Sequence, residues 1–310
     1  MSAVVAGASA PVSSAARRPR GGLLRAILGN RKAVAGASLL LLFILLAAFP
    51  HLFVPWLHGD PRAIGDVPLE GPSGKHWLGT TGLGQDVYAE LIYSTRESLL
   101  IAVGAGAGAT ILSVLIGVSA AYLGGLADDG LSMLTDIFLV LPTFPLIIVL
   151  ATYAGKGNLT VIIIVLILTG WSYGARQMRA QAMSLRNRDF LESARVRGER
   201  RSYIIVVEVL PTMLSLIVAN FLGAALYSVL TAAGLQFLGL GDPNSLSWGT
   251  MLYWAQNQGA LVNGLPAWAL SPGLAVALLG VSFALLNYAF DEISNPALRP
   301  VRRRRAKANS

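Results

Sequence analysis

The sequence predicts an all-α polytopic membrane protein that crosses a bilayer with six transmembrane helices. Three observations carry this prediction. Of the 310 residues, 54% are apolar and only 13% charged, with a mean hydropathy of +0.61, more apolar surface than a soluble core needs. Apolar runs fall near residues 33–54, 98–123, 132–154, 159–175, 212–235 and 271–290, and a helix takes about 20 residues to cross the hydrocarbon. The basic residues gather in three blocks, 17–32, 176–201 and 299–307, each beside an apolar run, the pattern of cytoplasmic flanks.

Residues 1–32, rich in Ala, Ser, Pro and Arg, read as a disordered basic tail on the cytoplasmic side. The run at 33–54 is too long for a signal-peptide core and reads as an uncleaved first helix. With the Pro- and Gly-rich stretch up to residue 97 it makes a second unit. Residues 98–298, with their short links, form the expected five-helix core, and 299–310 a basic cytoplasmic tail. In the second run Gly104, Gly106, Gly108 and Gly117 remove side-chain bulk, and Gly104 to Gly108 has the small-xxx-small spacing of close helix pairs. Alternation from a cytoplasmic N-terminus puts 55–97, 155–158 and 236–270 outside, and 124–131, 176–211 and the C-terminus inside. Charge agrees: 55–97 holds three bases against six acids, and 236–270 has no Lys or Arg. No sustained internal repeat is visible, which argues against an inverted-repeat carrier.

Several functions are excluded early. The net charge of +8 sits at membrane flanks, where anionic lipid explains it, and no basic-aromatic module points to nucleic acid. There is no cysteine, hence no disulfide or thiolate chemistry. His51, His58 and His76 precede the second run without metal-ligand spacing to nearby carboxylates; they read as ordinary loop residues, and no metal site is expected. Gly74-Lys75 is followed by His76 and lacks the earlier glycine of a P-loop, so the chain should not hydrolyse ATP alone. Asp136 lies near the cytoplasmic end of the third run beside Asp128 and Asp129, and Asp291 and Glu292 adjoin the basic tail; interfacial positions explain all of them without a proton relay. An autonomous ion-coupled carrier lacks its deep ionisable group, and a membrane enzyme lacks its paired catalytic groups.

Between the fourth and fifth runs lie Arg176, Arg179, Arg186, Arg188, Arg195, Arg197, Arg200 and Arg201, against Asp189, Glu192, Glu199 and Glu208. Residues 188–197 are good helix formers with Phe190, Ala194 and Arg197 along one side. Gly198 suits a sharp bend because it tolerates a positive φ, and Pro211 should force a new start for the fifth span. Helix, turn and short helix make a compact docking surface. An amphipathic helix on lipid phosphates is the other reading, against which Asp189, Glu192 and Glu199 count. In the fifth run Asn220, Tyr227 and Thr231 share one face, suited either to a translocation path or to interhelical hydrogen bonds. Trp248, Tyr253, Trp254 and Trp268 read as an aromatic belt, with stacking on a sugar or peptide ring as the other reading.

Glu192-Ser193-Ala194, then Gly198, then Leu210-Pro211 resembles the EAA signature of binding-protein-dependent ABC importer permeases. Further stretches resemble the dipeptide/oligopeptide branch, particularly its C-type inner-membrane subunit: Gly79 to Val87, Arg96 to Leu100, Asn187 to Phe190, Gly234 to Gly241, Ser247-Trp248-Gly249 and Asn287 to Asp291. The resemblance covers about residues 33–300. Ser193 replaces an alanine of the signature and Thr212 an asparagine frequent in the branch. Thr81 and Gln85 stand where many peptide permeases carry Asp and Arg, a variant shared with oligosaccharide importers, which makes an oligosaccharide the alternative cargo.

The resemblance implies a type I ABC importer permease fold in a bacterial cytoplasmic membrane, with both termini cytoplasmic. It implies a second homologous permease, two ATP-binding cassette subunits that bind ATP and Mg, and an extracellular solute-binding protein, with no cofactor in this chain. By the same resemblance Glu192, Ser193, Ala194, Gly198, Leu210 and Pro211 couple the permease to its ATPase during alternating access, with charge-assisted contacts from Arg195 or Arg197.

Overall fold

The computed structural model describes residues 30–54, 60–153 and 159–294. Most of the two expected basic tails, His58 and the expected outer link 155–158 lie outside the described residues. Ten helices of eight residues or more organise the rest: α1 Arg31–Ala48, α2 Val87–Leu123, α3 Gly125–Val140, α4 Thr143–Tyr153, α5 Leu159–Gly170, α6 Ser172–Arg186, α7 Asp189–Val196, α8 Leu214–Phe237, α9 Trp248–Asn257 and α10 Pro266–Ser294. Among the described residues the only β pairing is an isolated bridge between Thr80 and Asp86. Four helices are long and apolar enough to cross a membrane, or six spans if the bent pairs α3–α4 and α5–α6 count as one each.

The third and fourth expected spans are therefore corrected from single rods to broken ones. Leu141 is extended at the α3–α4 junction, as a residue before proline prefers, and Pro142 has no N–H to continue the helix. The axes turn by 91° there and by 44° between α5 and α6. α6 runs on to Arg186, so Arg176, Arg179 and Arg186 are helical rather than part of a loop.

Boundaries move at three other places. Asn30 caps α1 through Lys32 N–H at 2.9 Å, which takes Arg31 and Lys32 out of the expected tail. α2 starts at Val87 instead of residue 98, so Glu90, Arg96 and Glu97 are helical. The stretch expected to lie outside at 236–270 contains α9 and the start of α10.

α2 is the central element, packed against α1, α5, α6 and α8. The glycines explain the close approach. A Cβ on Gly106 would sit 2.8 Å from the Ala225 backbone of α8, and one on Gly117 would collide with the Ala175 carbonyl of α6. Gly104 and Gly108 meet Ile163 and Ile167 of α5, so the small-xxx-small face receives two large residues at the same spacing. Trp248 and Trp268, expected in an aromatic belt, are instead about 1% and 0% exposed. Trp248 donates from its backbone N–H to Ser98 Oγ and from Nε1 to the Leu91 carbonyl, both at 3.1 Å, and packs edge-on against Phe43. A buried indole finds a partner for its N–H where one is in reach, and here the wall of α2 supplies it.

The segment before α2 is built, not loose. Asp86 caps the helix through Ala89 N–H at 2.8 Å and its other carboxylate oxygen lies 2.6 Å from His76 Nδ1. His76 is buried, which corrects its reading as an ordinary loop residue: it holds the helix cap in place. Lys75 pairs with Asp66, and this carboxylate raises the pKa of the exposed lysine. Thr81 Oγ1 accepts from Leu83 N–H and Gln85 N–H at 3.3 and 3.2 Å, while Gln85 Nε2 donates to the Arg62 carbonyl at 3.2 Å.

Candidate functional site

α7 stands on α6 and on the chain leading into α8. Leu191 and Ala194, three residues apart and fully buried, pack with Met178, Ala182, Ile204, Val209 and Met213. The expected face of Phe190, Ala194 and Arg197 is corrected: only Ala194 turns inward, while Phe190 is 40% exposed and Arg197 is also exposed. The outward side presents Phe190, Glu192, Ser193, Val196 and Arg197. Ser193 turns its hydroxyl back to the Asp189 carbonyl at 2.9 Å, so its difference from alanine costs no packing.

The end of α7 is a Schellman cap. Gly198 N–H donates to Arg195 O at 2.9 Å and Glu199 N–H to Ala194 O at 3.2 Å, with Gly198 at φ +78°; this pairing of the last carbonyls needs a left-handed residue. A Cβ on Gly198 would meet nothing within 4 Å, so backbone conformation rather than packing favours glycine here. Arg195 is exposed but tied to its own chain, donating to the Arg186 carbonyl at 2.8 Å. Arg197 makes no ion pair among the described residues.

The approach to the fifth span departs from expectation. Pro211 does not restart the helix sharply. The backbone runs through Arg201–Tyr203, a π-helical segment Ile204–Val209 and Leu210–Thr212 before α8 begins. Leu210 N–H reaches Ile205 O, five residues back; this wider turn accommodates the following proline, which has no N–H to donate. Thr212 Oγ1 then donates to Val209 O at 2.7 Å. Leu210 is half-buried against Leu191's cluster and Pro211 exposed.

Two acids of α3 are satisfied by the arginine-rich α6. Arg179 grips Asp128 through Nε and Nη2 at 2.6 and 2.9 Å, a fork geometry, and Arg176 reaches Asp136 at 2.6 Å. These contacts span the broken α3 and α6 and neutralise part of the basic block within the chain.

A cavity of about 580 Å³ opens beside this pair of helices. The structure brings Asn220 and Tyr227 together there with Phe138, Thr169, Gln177, Asn287 and Asp291. Thr231 does not join them: it is buried at 8% exposure and lines none of the cavity. A helical face drifts along its length, and one turn beyond Tyr227 it meets neighbouring helices. Thr169, Ser172, Gln177, Asn287 and Asp291 were missed as lining residues. The Gly170-Trp171 step was the available signal, since the bend there turns the adjoining polar residues toward α8. Among the described residues no cluster of His, Cys, Asp and Glu can hold a metal ion.

A helical multi-pass membrane protein with broken spans, a polar-lined cavity and a capped helix held out on an arginine-rich face is a transport subunit by class. The chain belongs to the family of binding-protein-dependent transport system inner membrane components, whose pattern matches residues 113–299, more than half of its length. It is 33% identical over 285 residues to an oligopeptide transport system permease protein, OppC, of Mycobacterium tuberculosis, covering 91% of this chain and 96% of that one. A putative peptide permease protein of Brucella suis biovar 1 is 34% identical over 85% of this chain and 88% of its own. A dipeptide transport system permease protein, DppC, of Alkalihalophilus pseudofirmus is 28% identical over 87% of each. The chain is thus a permease subunit of an ABC importer, a multi-pass protein of the inner membrane.

Proposed function

We propose that this subunit carries di- or oligopeptides inward by alternating access, paired with a second homologous permease and driven by two ATP-binding cassette subunits that bind ATP and Mg. A solute-binding protein outside delivers the cargo, and both termini of the chain lie in the cytoplasm. The observation that carries the coupling role is α7: a short helix fixed by Leu191 and Ala194 and closed by Gly198, with Glu192, Ser193, Val196 and Arg197 free to meet a partner groove. A helix anchored this way moves with α6 and α8, so closure of the ATPases draws on the cavity walls. Asn220, Tyr227 and Asp291 line the cargo path on this reading, and residues from α2 to α10 form the transport core with α1 as an anchor.

The relatives, an oligopeptide, a putative peptide and a dipeptide permease protein, support a peptide cargo. Thr81 and Gln85, the residues that favoured an oligosaccharide, close a turn with each other and with Arg62; such a structural duty says nothing for a sugar. Affinity purification of the tagged chain from gently solubilised membranes, followed by mass spectrometry and by uptake in proteoliposomes, tests the proposal. A second permease and ATP-binding subunits should copurify, and uptake of labelled peptides should require ATP. A chain that purifies alone and loses its transport with an ionophore is an autonomous carrier instead.

A further inference from the structure

The cavity beside α3 and α6 has a wall of one sign. At about 580 Å³ it falls within the range of pockets that enclose small organic molecules, about 300–1,000 Å³. Among the described residues that line it, Asp291 alone carries a formal charge. The cations of the neighbouring helices are engaged elsewhere: Arg176 with Asp136, Arg179 with Asp128 and Lys32 with Glu292. Glu292 also accepts from Asn30 Nδ2 at 3.1 Å. The two adjacent carboxylates therefore have separate duties. Glu292 fastens α10 to the start of α1, whereas Asp291 opens to the cavity and makes no ion pair among the described residues. The rest of the wall is neutral, with the amides of Gln177 and Asn220 and the exposed rings of Tyr173 and Tyr227. Aromatic faces attract cations, and nothing in this set supplies a positive charge to a carboxylate.

We infer that this cavity selects cationic cargo, peptides that carry more ammonium and guanidinium groups than carboxylates. Asp291 attracts the positive group and repels an additional carboxylate, Tyr173 and Tyr227 offer it their rings, and the amides of Gln177 and Asn220 serve the peptide backbone. A metal ion is a poor occupant, because one carboxylate alone lines the cavity and no metal-holding cluster occurs among the described residues. The identity of the cargo as a peptide rests on the function proposed above; the charge preference of the cavity does not.

The chain has no cysteine, so Asn220→Cys places a single thiol of this chain on the wall and leaves both rings in place. The variant, purified in lipid nanodiscs with whatever subunits accompany it, is treated with a cationic and an anionic methanethiosulfonate of similar size. Mass spectrometry of this chain reads the two rates, each divided by the rate with free cysteine. At low ionic strength the cationic reagent should be favoured. Asp291→Asn should lower the ratio by about fourfold, the effect of one charge at about 10 Å through water, felt with opposite sign by the two reagents. In proteoliposomes the cysteine-free chain with Asp291→Asn should likewise take up less trilysine relative to triglutamate, the binding protein being the same. A preference for the anionic reagent with Asp291 in place, or a ratio of either kind that Asp291→Asn leaves unaltered, overturns the inference. Absence of any ATP-driven peptide uptake refutes the function proposed above instead, and the thiol rates then decide the charge preference alone. Should Asp291→Asn fail to fold, salt decides on the Asn220→Cys protein: the preference should fall toward one as ionic strength rises, and a preference indifferent to salt overturns the inference.

Discussion

Arg195 donates to the carbonyl oxygen of Arg186 at 2.8 Å, and thereby ties α7 to the last residue of α6. The end of a helix carries unpaired carbonyls and partial negative charge, so this guanidinium is well placed where it is. The two arginines flanking Val196 thus have different duties: Arg195 holds the helix, and Arg197 faces outward.

Arg195→Ala should accordingly speed amide exchange across residues 188–197 by about tenfold, the equivalent of 1.4 kcal/mol. Arg197→Ala should leave exchange unchanged and lower recovery of ATP-binding subunits in a pull-down. Hydrogen–deuterium exchange followed by mass spectrometry reads the first effect; equal exchange in the two variants contradicts the division of labour.

Gly198→Ala should cost about 1 kcal/mol through its left-handed backbone alone, because no atom lies within 4 Å of the added Cβ. Gly198→Trp carries a similar backbone cost at an exposed position. It should reach the membrane at normal levels yet lose uptake and ATPase recovery, since the ring is added to the end of the helix offered to a partner. Wild-type uptake at unchanged expression would remove α7 from the coupling role.

Asp128 and Arg179 should behave as a pair. Charge reversal at either should lower thermal stability, and the double reversal should recover part of it, with a coupling of about 0.5–1 kcal/mol for a partly exposed pair. A thermal-denaturation cycle at low and high salt measures this, and strictly additive losses would show the contact to be idle.

Gly117→Ala should destabilise by roughly 1–3 kcal/mol, the usual cost of overpacking, because the methyl group collides with the Ala175 carbonyl. Gly130→Ala, where no atom lies within 4 Å of the added Cβ, is the control. Melting in detergent should separate the two.

The chain has no cysteine, so single cysteines report the cavity directly. Asn220→Cys and Tyr227→Cys should react with a water-soluble thiol reagent, and Thr231→Cys should stay protected. Labelling of Thr231→Cys at the rate of Tyr227→Cys would extend the cavity past its described wall.

What the sequence disclosed follows from how locally each feature is determined. Gly198 was legible because a positive φ is a property of one residue and its two neighbours. The stretches Arg96 to Leu100, Gly234 to Gly241 and Ser247 to Gly249 were legible as motifs but not as partners. Only the fold shows Ser98 receiving Trp248 N–H and Ser247 donating to Gln236 Oε1 at 2.9 Å. Trp248 and Trp268 were misplaced because indole chemistry suits an interface and a core equally well. Thr231 was misplaced because periodicity gives a face and not the neighbours along it. The break at Pro142 was available in the sequence, but an apolar run scored for hydropathy alone is blind to a missing N–H.

Helix α2 has 37 residues, about 55 Å at 1.5 Å per residue, whereas the hydrocarbon core is about 30 Å thick. Even at a tilt of about 40°, the steep end of the usual range, its vertical reach is about 42 Å. About 12 Å of that vertical reach must therefore stand in headgroups or water. Its early turns carry the exposed Arg96 and its last reaches the exposed Leu123, and bilayer thickness sets which of them is wetted. Thickening the bilayer draws the guanidinium toward the acyl chains and thinning it releases it, so membrane thickness acts on this subunit as a variable of its own.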